Sequence, residues 1–142
     1  MTATRTIPQV TLRLAAPTDG PLIHELFLAS GKWEIPAVDW SQDIGPYWLI
    51  GEMQGIPLGC IMVRPGRPLG SLEFLCVRTV VPHKTKGLLV RTLCYAGLES
   101  LKRTGAQLCS FVLHAGQDGW EKVLSRRRGV KWFQGSVYLM EL

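Results

Sequence analysis

The apolar and polar positions of this chain follow two periods, one typical of strands and one typical of helices. Residues 10–14 alternate between apolar and polar, as a half-buried strand does. Residues 22–27 and 89–101 carry apolar side chains three and four positions apart, which predicts amphipathic helices. Short apolar runs bounded by Gly and Pro predict further strands. The pattern therefore predicts a mixed α+β fold.

The middle of the chain holds three apolar runs separated only by short turns, which predicts an antiparallel meander. A helix and a strand follow this meander, and a strand–helix–strand crossover places its two strands parallel. A second helix and two more strands complete the order. The predicted strands after residue 14 are 47–53, 56–63, 71–81, 107–113, 130–133 and 136–142, and the later helices run from 85 or 86 to 103 and over 116–128.

Length and hydropathy indicate one globular domain over residues 1–142. Apolar residues make up 46% of the chain, enough for a core. No apolar run approaches the roughly 18–20 residues that span a bilayer, so we expect no membrane segment. The first eight residues lack the apolar centre of a signal peptide, and we expect a cytoplasmic location.

Cysteine spacing and net charge limit the chemistry that the chain can perform. Cys60, Cys76, Cys94 and Cys109 lie in apolar segments without a CxxC pair, which predicts reduced core thiols and no metal site. The formal charge of +5 permits an anionic partner. No zinc-finger or RNA-binding signature is present, so nucleic acid is not favoured. The basic run 125–131 is typical of a solvated helix end, with contact to a ligand phosphate or to a nucleic acid as the alternative.

The run from Val80 to Arg91 suggests a ligand site. A β-branched strand ends at Pro82, a basic loop containing Gly87 follows, and a helix begins. This order places backbone N–H groups and lysines at a helix N-terminus, where a phosphorylated ligand binds well. The simpler alternative is an ordinary helix start preceded by a solvated basic loop.

The element order and this loop resemble the GNAT superfamily of N-acetyltransferases, most sharply over residues 72–97. Members carry a loop of the form Gln/Arg-x-x-Gly-x-Gly/Ala, whose amides hold the pyrophosphate of acetyl-CoA. Lys84 stands at its first position, Gly87 at its first glycine and Leu89 at its second small residue. The resemblance implies a three-layer fold, with helices flanking a mixed, mostly antiparallel sheet of about seven strands. It implies acetyl-CoA as co-substrate, bound by Lys84, Thr85, Lys86, Gly87, Leu88 and Leu89.

The resemblance also implies roles in acetyl transfer to a primary amine. Glu73 lies eleven residues before Lys84, the register of a strand glutamate that acts as base in one branch of the family. The alternative is a rim or paired glutamate without a catalytic role. The backbone of Val77, Arg78 and Thr79 would run beside the pantetheine arm and supply an oxyanion donor. Ser125 occupies the position of the tyrosine that serves many members as general acid.

The segment 32–46 is rich in tryptophan and borders the acceptor side of this fold by resemblance. Trp33, Glu34 and Trp40 would form a pocket for the amine, and the alternative is that the tryptophans belong to the core and its rim. The acceptor would be a small-molecule or peptide amine, and a homodimer is plausible. The leading hypothesis is an acetyl-CoA-dependent N-acetyltransferase. The alternative is a catalytically weakened module of the same fold that binds acyl-CoA or another protein.

Overall fold

The computed structural model describes residues 9–31, 40 and 45–112, which form five strands, two α-helices and one 3₁₀ turn. The strands are β1 (Val10–Leu14), β2 (Tyr47–Met53), β3 (Ile56–Arg64), β4 (Leu69–Val77) and β5 (Leu108–Phe111). The helices are α1 (Gly20–Ser30), preceded by the 3₁₀ turn Pro17–Asp19, and α2 (His83–Arg103). The predicted helix at 116–128 and the strands at 130–133 and 136–142 lie outside the described residues.

The five strands form one sheet in the order β1-β2-β3-β4-β5. Neighbours are antiparallel from β1 to β4, and β4 pairs with β5 in parallel. This confirms the predicted meander and the crossover through α2. The turn between β2 and β3 is confirmed as well, because Gln54 and Gly55 have φ angles of 52° and 75°. Two successive left-handed residues match the twist of a tight hairpin.

The helices cover opposite faces of the sheet, so the described residues form three layers. Strand side chains alternate between faces, and each helix therefore has its own core. The α1 core comprises Ile23, Leu26, Phe27, Trp48, Ile50, Cys60, Met62 and Cys76. The α2 core comprises Leu49, Ile61, Val63, Leu72, Leu75, Leu93, Cys94 and Leu101, continued by Val77, Val81 and Leu89. The predicted mixed α+β fold is confirmed.

Helix α2 approaches the sheet over a pair of facing glycines. Gly51 and Gly59 are register partners on β2 and β3. A Cβ at Gly51 would lie 3.2 Å from Leu89 Cδ2, and one at Gly59 would lie 3.4 Å from Leu93 Cδ1. Two leucines thus occupy the space above the missing side chains. A large apolar residue at position 89 is therefore a packing requirement of this helix.

The cysteines differ in their surroundings. All four are free, and Cys60, Cys76 and Cys94 are buried, but Cys109 is exposed, so the prediction of four core thiols was wrong at that position. Strand β5 is short, and its side chain at 109 lies at the surface. A hydrogen bond with Cys76, together with burial, raises the pKa of the Cys60 thiol. Burial raises the pKa of Cys94 to about 12. Such buried thiols stay protonated and unreactive.

An ion pair joins β1 to the start of α1. Two nitrogens of the Arg13 guanidinium donate to Asp19 at 2.6 and 3.0 Å, and the Ala16 N–H donates to the same carboxylate at 2.7 Å. Arg13 also pairs with Glu52 on β2. The guanidinium holds the pKa of Asp19 below its ordinary value, because hydrogen bonds to the charged carboxylate favour it.

Replacing Asp19 with Asn is expected to remove part of the pH dependence of stability. The folded pKa of Asp19 is lowered, so its contribution is fully present above the unfolded value of about 3.9 and is lost as pH falls through the folded value. Urea unfolding at about pH 7, 4 and 3 measures the free energy of unfolding of both proteins. The difference in that free energy between wild type and Asp19→Asn should become smaller as pH falls. An equal difference at every pH would contradict this assignment.

Candidate functional site

Strands β4 and β5 separate partway along β4. They pair from Leu69 opposite Leu108 to Leu72 opposite Phe111, and the Val112 N–H donates to the Leu72 carbonyl at 3.2 Å. Strand β4 then continues for five residues, to Val77. Among the described residues, no strand pairs with this edge of β4 beyond Leu72. Within the described part of the chain, the separation leaves this edge of β4 open from residue 73 onward.

A β-bulge lies at the point of separation. Cys60 is opposite Cys76 and Met62 is opposite Glu73, so β4 contains one more residue than β3 across this interval. Phe74 has a φ of 53°, a left-handed conformation that is rare for a bulky residue. Its ring lies 5.6 Å from those of both Phe27 and Trp40, and this packing offsets part of the backbone strain.

The bulge determines which backbone donors face the open edge. The Arg78 N–H donates to the Leu58 carbonyl at 2.9 Å, across β3. Because backbone groups of an antiparallel strand alternate between its two edges, those of Val77 and Leu75 face the other way. The predicted donor at Val77 therefore lies on the open edge. Leu75 was missed, because its orientation depends on a register shift that no sequence pattern reveals.

The N–H groups of Arg78 and Thr79 are both bonded within the protein, which leaves Val77 as the donor of this segment, and the predicted contacts of Arg78 and Thr79 with the cofactor stay predictions. The Thr79 N–H donates to the Ala29 carbonyl at 3.0 Å, and that of Arg78 is used by β3. The Arg78 side chain donates to the Pro57 carbonyl and to Glu25, at 2.8 and 2.7 Å. Strand β4 was predicted to continue to residue 81, but it ends at Val77, since these bonds turn the chain toward α1.

Helix α2 presents an open N-terminus. It begins at His83, earlier than the predicted 85 or 86, after Pro82 in the N-cap position. Pro82 makes no side-chain cap bond, and the first bond of the helix runs from the Lys86 N–H to the Pro82 carbonyl at 2.8 Å. The N–H groups of the first turn, at residues 83–85, precede that bond and are left for a ligand or solvent. The predicted loop is thus a helical turn, which is a suitable site for an anion.

The residues of this turn divide into an exposed set and a buried one. His83, Lys84, Gly87 and Leu88 are exposed, and Thr85 and Lys86 are half-buried. A Cβ at Gly87 would meet nothing within 4 Å, so the packing of the described residues does not require this glycine. Leu89 is fully buried, so its side chain is part of the core, and its predicted contact with the ligand stays a prediction. Its side chain points into the core rather than toward the helix start.

Glu73 lies on the α1 face of the sheet, immediately after the last residue of β4 that pairs with β5. It is opposite Met62, a member of the α1 core, and its side chain is 24% exposed. The Arg64 Nε donates to Glu73 Oε2 at 3.0 Å. This ion pair agrees with the alternative of a paired glutamate and leaves the catalytic role a prediction. Arg64 was not singled out in the sequence, because the pair forms diagonally between strands.

Trp40 packs within an aromatic cluster rather than standing apart. Its ring lies 5.2 Å from that of Phe27, and the Trp48 Nε1 donates to the Trp40 carbonyl at 2.9 Å. This placement favours the core interpretation of Trp40 over that of a pocket wall. Trp33, Glu34 and Ser125 lie outside the described residues, and their proposed roles stay predictions.

Neither a metal-binding cluster nor a membrane-spanning helix is present in the described part of the chain. No three His, Cys, Asp or Glu side chains lie close enough there to hold a metal ion. No helix among residues 9–31 and 45–112 has the length and apolar character needed to cross a bilayer.

Comparisons with known proteins identify the fold. No family model matches the sequence, and no curated protein matches it either. Among solved structures, an aminoglycoside N-acetyltransferase in complex with CoA aligns with a TM-score of 0.70 at 12% identity, covering 99% of this chain and 100% of its own. A ribosomal-protein-alanine N-acetyltransferase from Brucella melitensis biovar Abortus 2308 aligns with a TM-score of 0.68 at 14% identity, covering 93% and 100%.

A third structure shows that this architecture is not confined to proteins named as acetyltransferases. A transcriptional regulator from Bacillus halodurans C-125 aligns with a TM-score of 0.69 at 14% identity, again covering 93% of this chain and 100% of its own. At such identities the likeness concerns the fold alone. The resemblance predicted from the element order is confirmed at that level: the chain has the fold of the GNAT superfamily of acetyltransferases.

Proposed function

We propose that this protein is an acetyl-CoA-dependent N-acetyltransferase that transfers the acetyl group directly to a primary amine, and that residues 1–142 form one acyltransferase domain. The observation that carries the proposal is the separation of β4 from β5 after Leu72. It leaves the N–H groups of Leu75 and Val77 on an open edge, and β4 is followed by the uncapped N-terminus of α2. An extended thioester with a phosphorylated end suits this combination.

The described residues fit the co-substrate at both of its ends. The first turn of α2 offers N–H groups and the charge of Lys84 and Lys86 to a pyrophosphate. Gly87 permits a close approach, because its surroundings are open. The Leu75 and Val77 N–H groups would donate to the thioester carbonyl oxygen. A structural neighbour that contains CoA supports this assignment.

In the proposed reaction, Glu73, the backbone donors of β4 and Ser125 each have a separate role. Glu73 would accept the proton of the substrate ammonium, since only the free amine attacks. The amine nitrogen then forms a C–N bond as the C–S bond of the thioester breaks, and it releases its second proton to solvent to give the neutral amide. Backbone donors stabilise the charge that develops on the carbonyl oxygen. The departing thiolate takes a proton from solvent or from Ser125, the position implied by resemblance.

The acceptor is proposed to be a primary amine on a small molecule or a peptide. Structural neighbours are named for both kinds of acceptor, an aminoglycoside and a ribosomal-protein alanine. Trp33 and Glu34 are the proposed acceptor contacts. Trp40 would support them from the aromatic cluster of Phe27 and Phe74.

A second candidate function is binding of acyl-CoA without turnover. The ion pair between Glu73 and Arg64 favours it, because a carboxylate already hydrogen-bonded to a guanidinium has one oxygen fewer to offer a substrate. The neighbour named as a transcriptional regulator shows that the architecture also occurs under that description.

Titration calorimetry with acetyl-CoA, followed by a thiol-release assay over a panel of amines, tests both candidates. Heat of binding with amine-dependent thiol release is expected of the acetyltransferase. Heat without release from any amine would favour the binding module, and no heat at all would contradict both. The same concentration of adenosine serves as the control ligand, since it lacks the pyrophosphate and the thioester.

Changing Gly87 to Ala is expected to affect stability and binding in opposite directions. The new methyl group meets nothing within 4 Å, and alanine favours a helix over glycine by up to about 1 kcal/mol. The same methyl group would obstruct a phosphate at the helix start, so acetyl-CoA affinity should fall about tenfold. Urea unfolding and calorimetry measure the two effects. Unchanged affinity would place the phosphate elsewhere.

A further inference from the structure

We propose that Arg64 is a positioning residue, which holds the Glu73 carboxylate in the orientation that accepts a proton from the amine. This inference rests on the proposed function. Arg64 is the last residue of β3, and Glu73 follows the last residue of β4 that pairs with β5. The Arg64 Nε and Glu73 Oε2 lie 3.0 Å apart.

The sheet register brings these two residues together. Arg64 is opposite Ser71 and Glu73 is opposite Met62, so the pair spans a diagonal between the strands. Arg64 lies two residues from Met62, so both strands direct these side chains to the α1 face. The contact therefore follows from the register of β3 on β4, just before the bulge at Phe74.

The contact occupies one carboxylate oxygen and leaves the other available. Among the described residues, the Glu73 carboxylate has one hydrogen-bond partner, Arg64, which donates to Oε2. A glutamate has three rotatable side-chain bonds, and a single anchor removes much of that freedom. Oε1 then remains as the proton acceptor in a restricted position. Such restriction affects turnover more than binding, because the reacting groups must be aligned.

The pair has little to contribute to folding. Its side chains are 48% and 24% exposed, and ion pairs of this exposure add little net stability. Loss of this ion pair by itself should therefore leave the urea midpoint nearly unchanged. A change in turnover without a change in stability separates positioning from a structural role.

The test combines Arg64→Gln, Arg64→Lys and Glu73→Gln, alone and in pairs. We expect Arg64→Gln to lower kcat about tenfold or more, with the KM for acetyl-CoA nearly unchanged. Lysine should restore part of the rate, because one N–H donor makes the bond and lysine can supply one. In the Glu73→Gln background, removing Arg64 should lower the rate no further. Arg103→Gln, an exposed arginine in the last turn of α2, is the control.

A measurement on the unliganded protein tests the contact itself. Hydrogen exchange of the Arg64 Nε–H, followed by ¹⁵N NMR, should be slower in wild type than in Glu73→Ala. Equal exchange rates would overturn the proposal, as would an unchanged kcat in Arg64→Gln or a loss that persists in the Glu73→Gln background. A wild-type protein that binds acetyl-CoA but acetylates no amine would instead contradict the proposed function, and the positioning role with it.

Discussion

Changing Glu73 to Gln is expected to lower kcat by about 10²–10⁴-fold, the usual contribution of a positioned general base. The amide has nearly the shape of the carboxylate, and its oxygen can still accept the hydrogen bond from Arg64. It cannot accept a proton from the substrate ammonium. The affinity for acetyl-CoA should be retained, because Glu73 lies on the α1 face, away from the first turn of α2.

The comparison that isolates this effect uses Glu99→Gln, which removes an exposed carboxylate from α2. Its kcat should match that of wild type. Thiol release at saturating amine and acetyl-CoA gives kcat for each protein, and calorimetry gives the affinity for acetyl-CoA. A Glu73→Gln protein with near wild-type turnover would show that Glu73 is a paired surface glutamate. The proposed base would then be wrong.

Changing Gly59 to Ala is expected to destabilise the protein by about 1–3 kcal/mol, as overpacking of a well-filled interior does. A Cβ at this position would lie 2.7 Å from the Cys76 carbonyl oxygen and 3.2 Å from Val77 Cγ2. The oxygen belongs to the backbone of the paired strand and cannot move independently. The clash would displace the β4 backbone between Leu75 and Val77, so acetyl-CoA affinity should fall together with stability.

The Gly87→Ala protein provides a matched control for Gly59→Ala. Both changes add one methyl group. At residue 59 the methyl group meets a backbone oxygen at 2.7 Å, whereas at residue 87 it meets nothing within 4 Å. Urea midpoints should move in opposite directions, down for Gly59→Ala and up for Gly87→Ala. If Gly59→Ala is as stable as wild type, then β3 and β4 do not have the register described here.

Much of the fold was predictable, because its signals are local. The α1 helix ends at Gly31, whose φ of 68° is the left-handed conformation that glycine adopts readily. Gln54 and Gly55 form the expected turn, and α2 connects two parallel strands as a crossover must. In each case a few neighbouring residues carry the information.

The candidate site was predictable only in part, because its geometry depends on pairing between distant segments. The bulge at Phe74 determines that Leu75 and Val77 donate at the open edge, and it appears only when β4 is aligned with β3. Arg64 reaches Glu73 diagonally across the same pair of strands. The sequence of a strand specifies which side chains point to the same face of the sheet. It does not specify where one strand of a pair contains an extra residue relative to the other.

Residue 89 shows the same division between sequence and tertiary structure. By itself, the sequence determined that a helix follows Pro82 with basic residues and a glycine near its start, since helix initiation and charge are local properties. Tertiary structure alone decided that Leu89 fills the space above Gly51. It also decided that the N–H groups of Arg78 and Thr79 donate to carbonyl groups within the protein. Packing and hydrogen bonding between layers join residues far apart in the chain, and no local pattern records them.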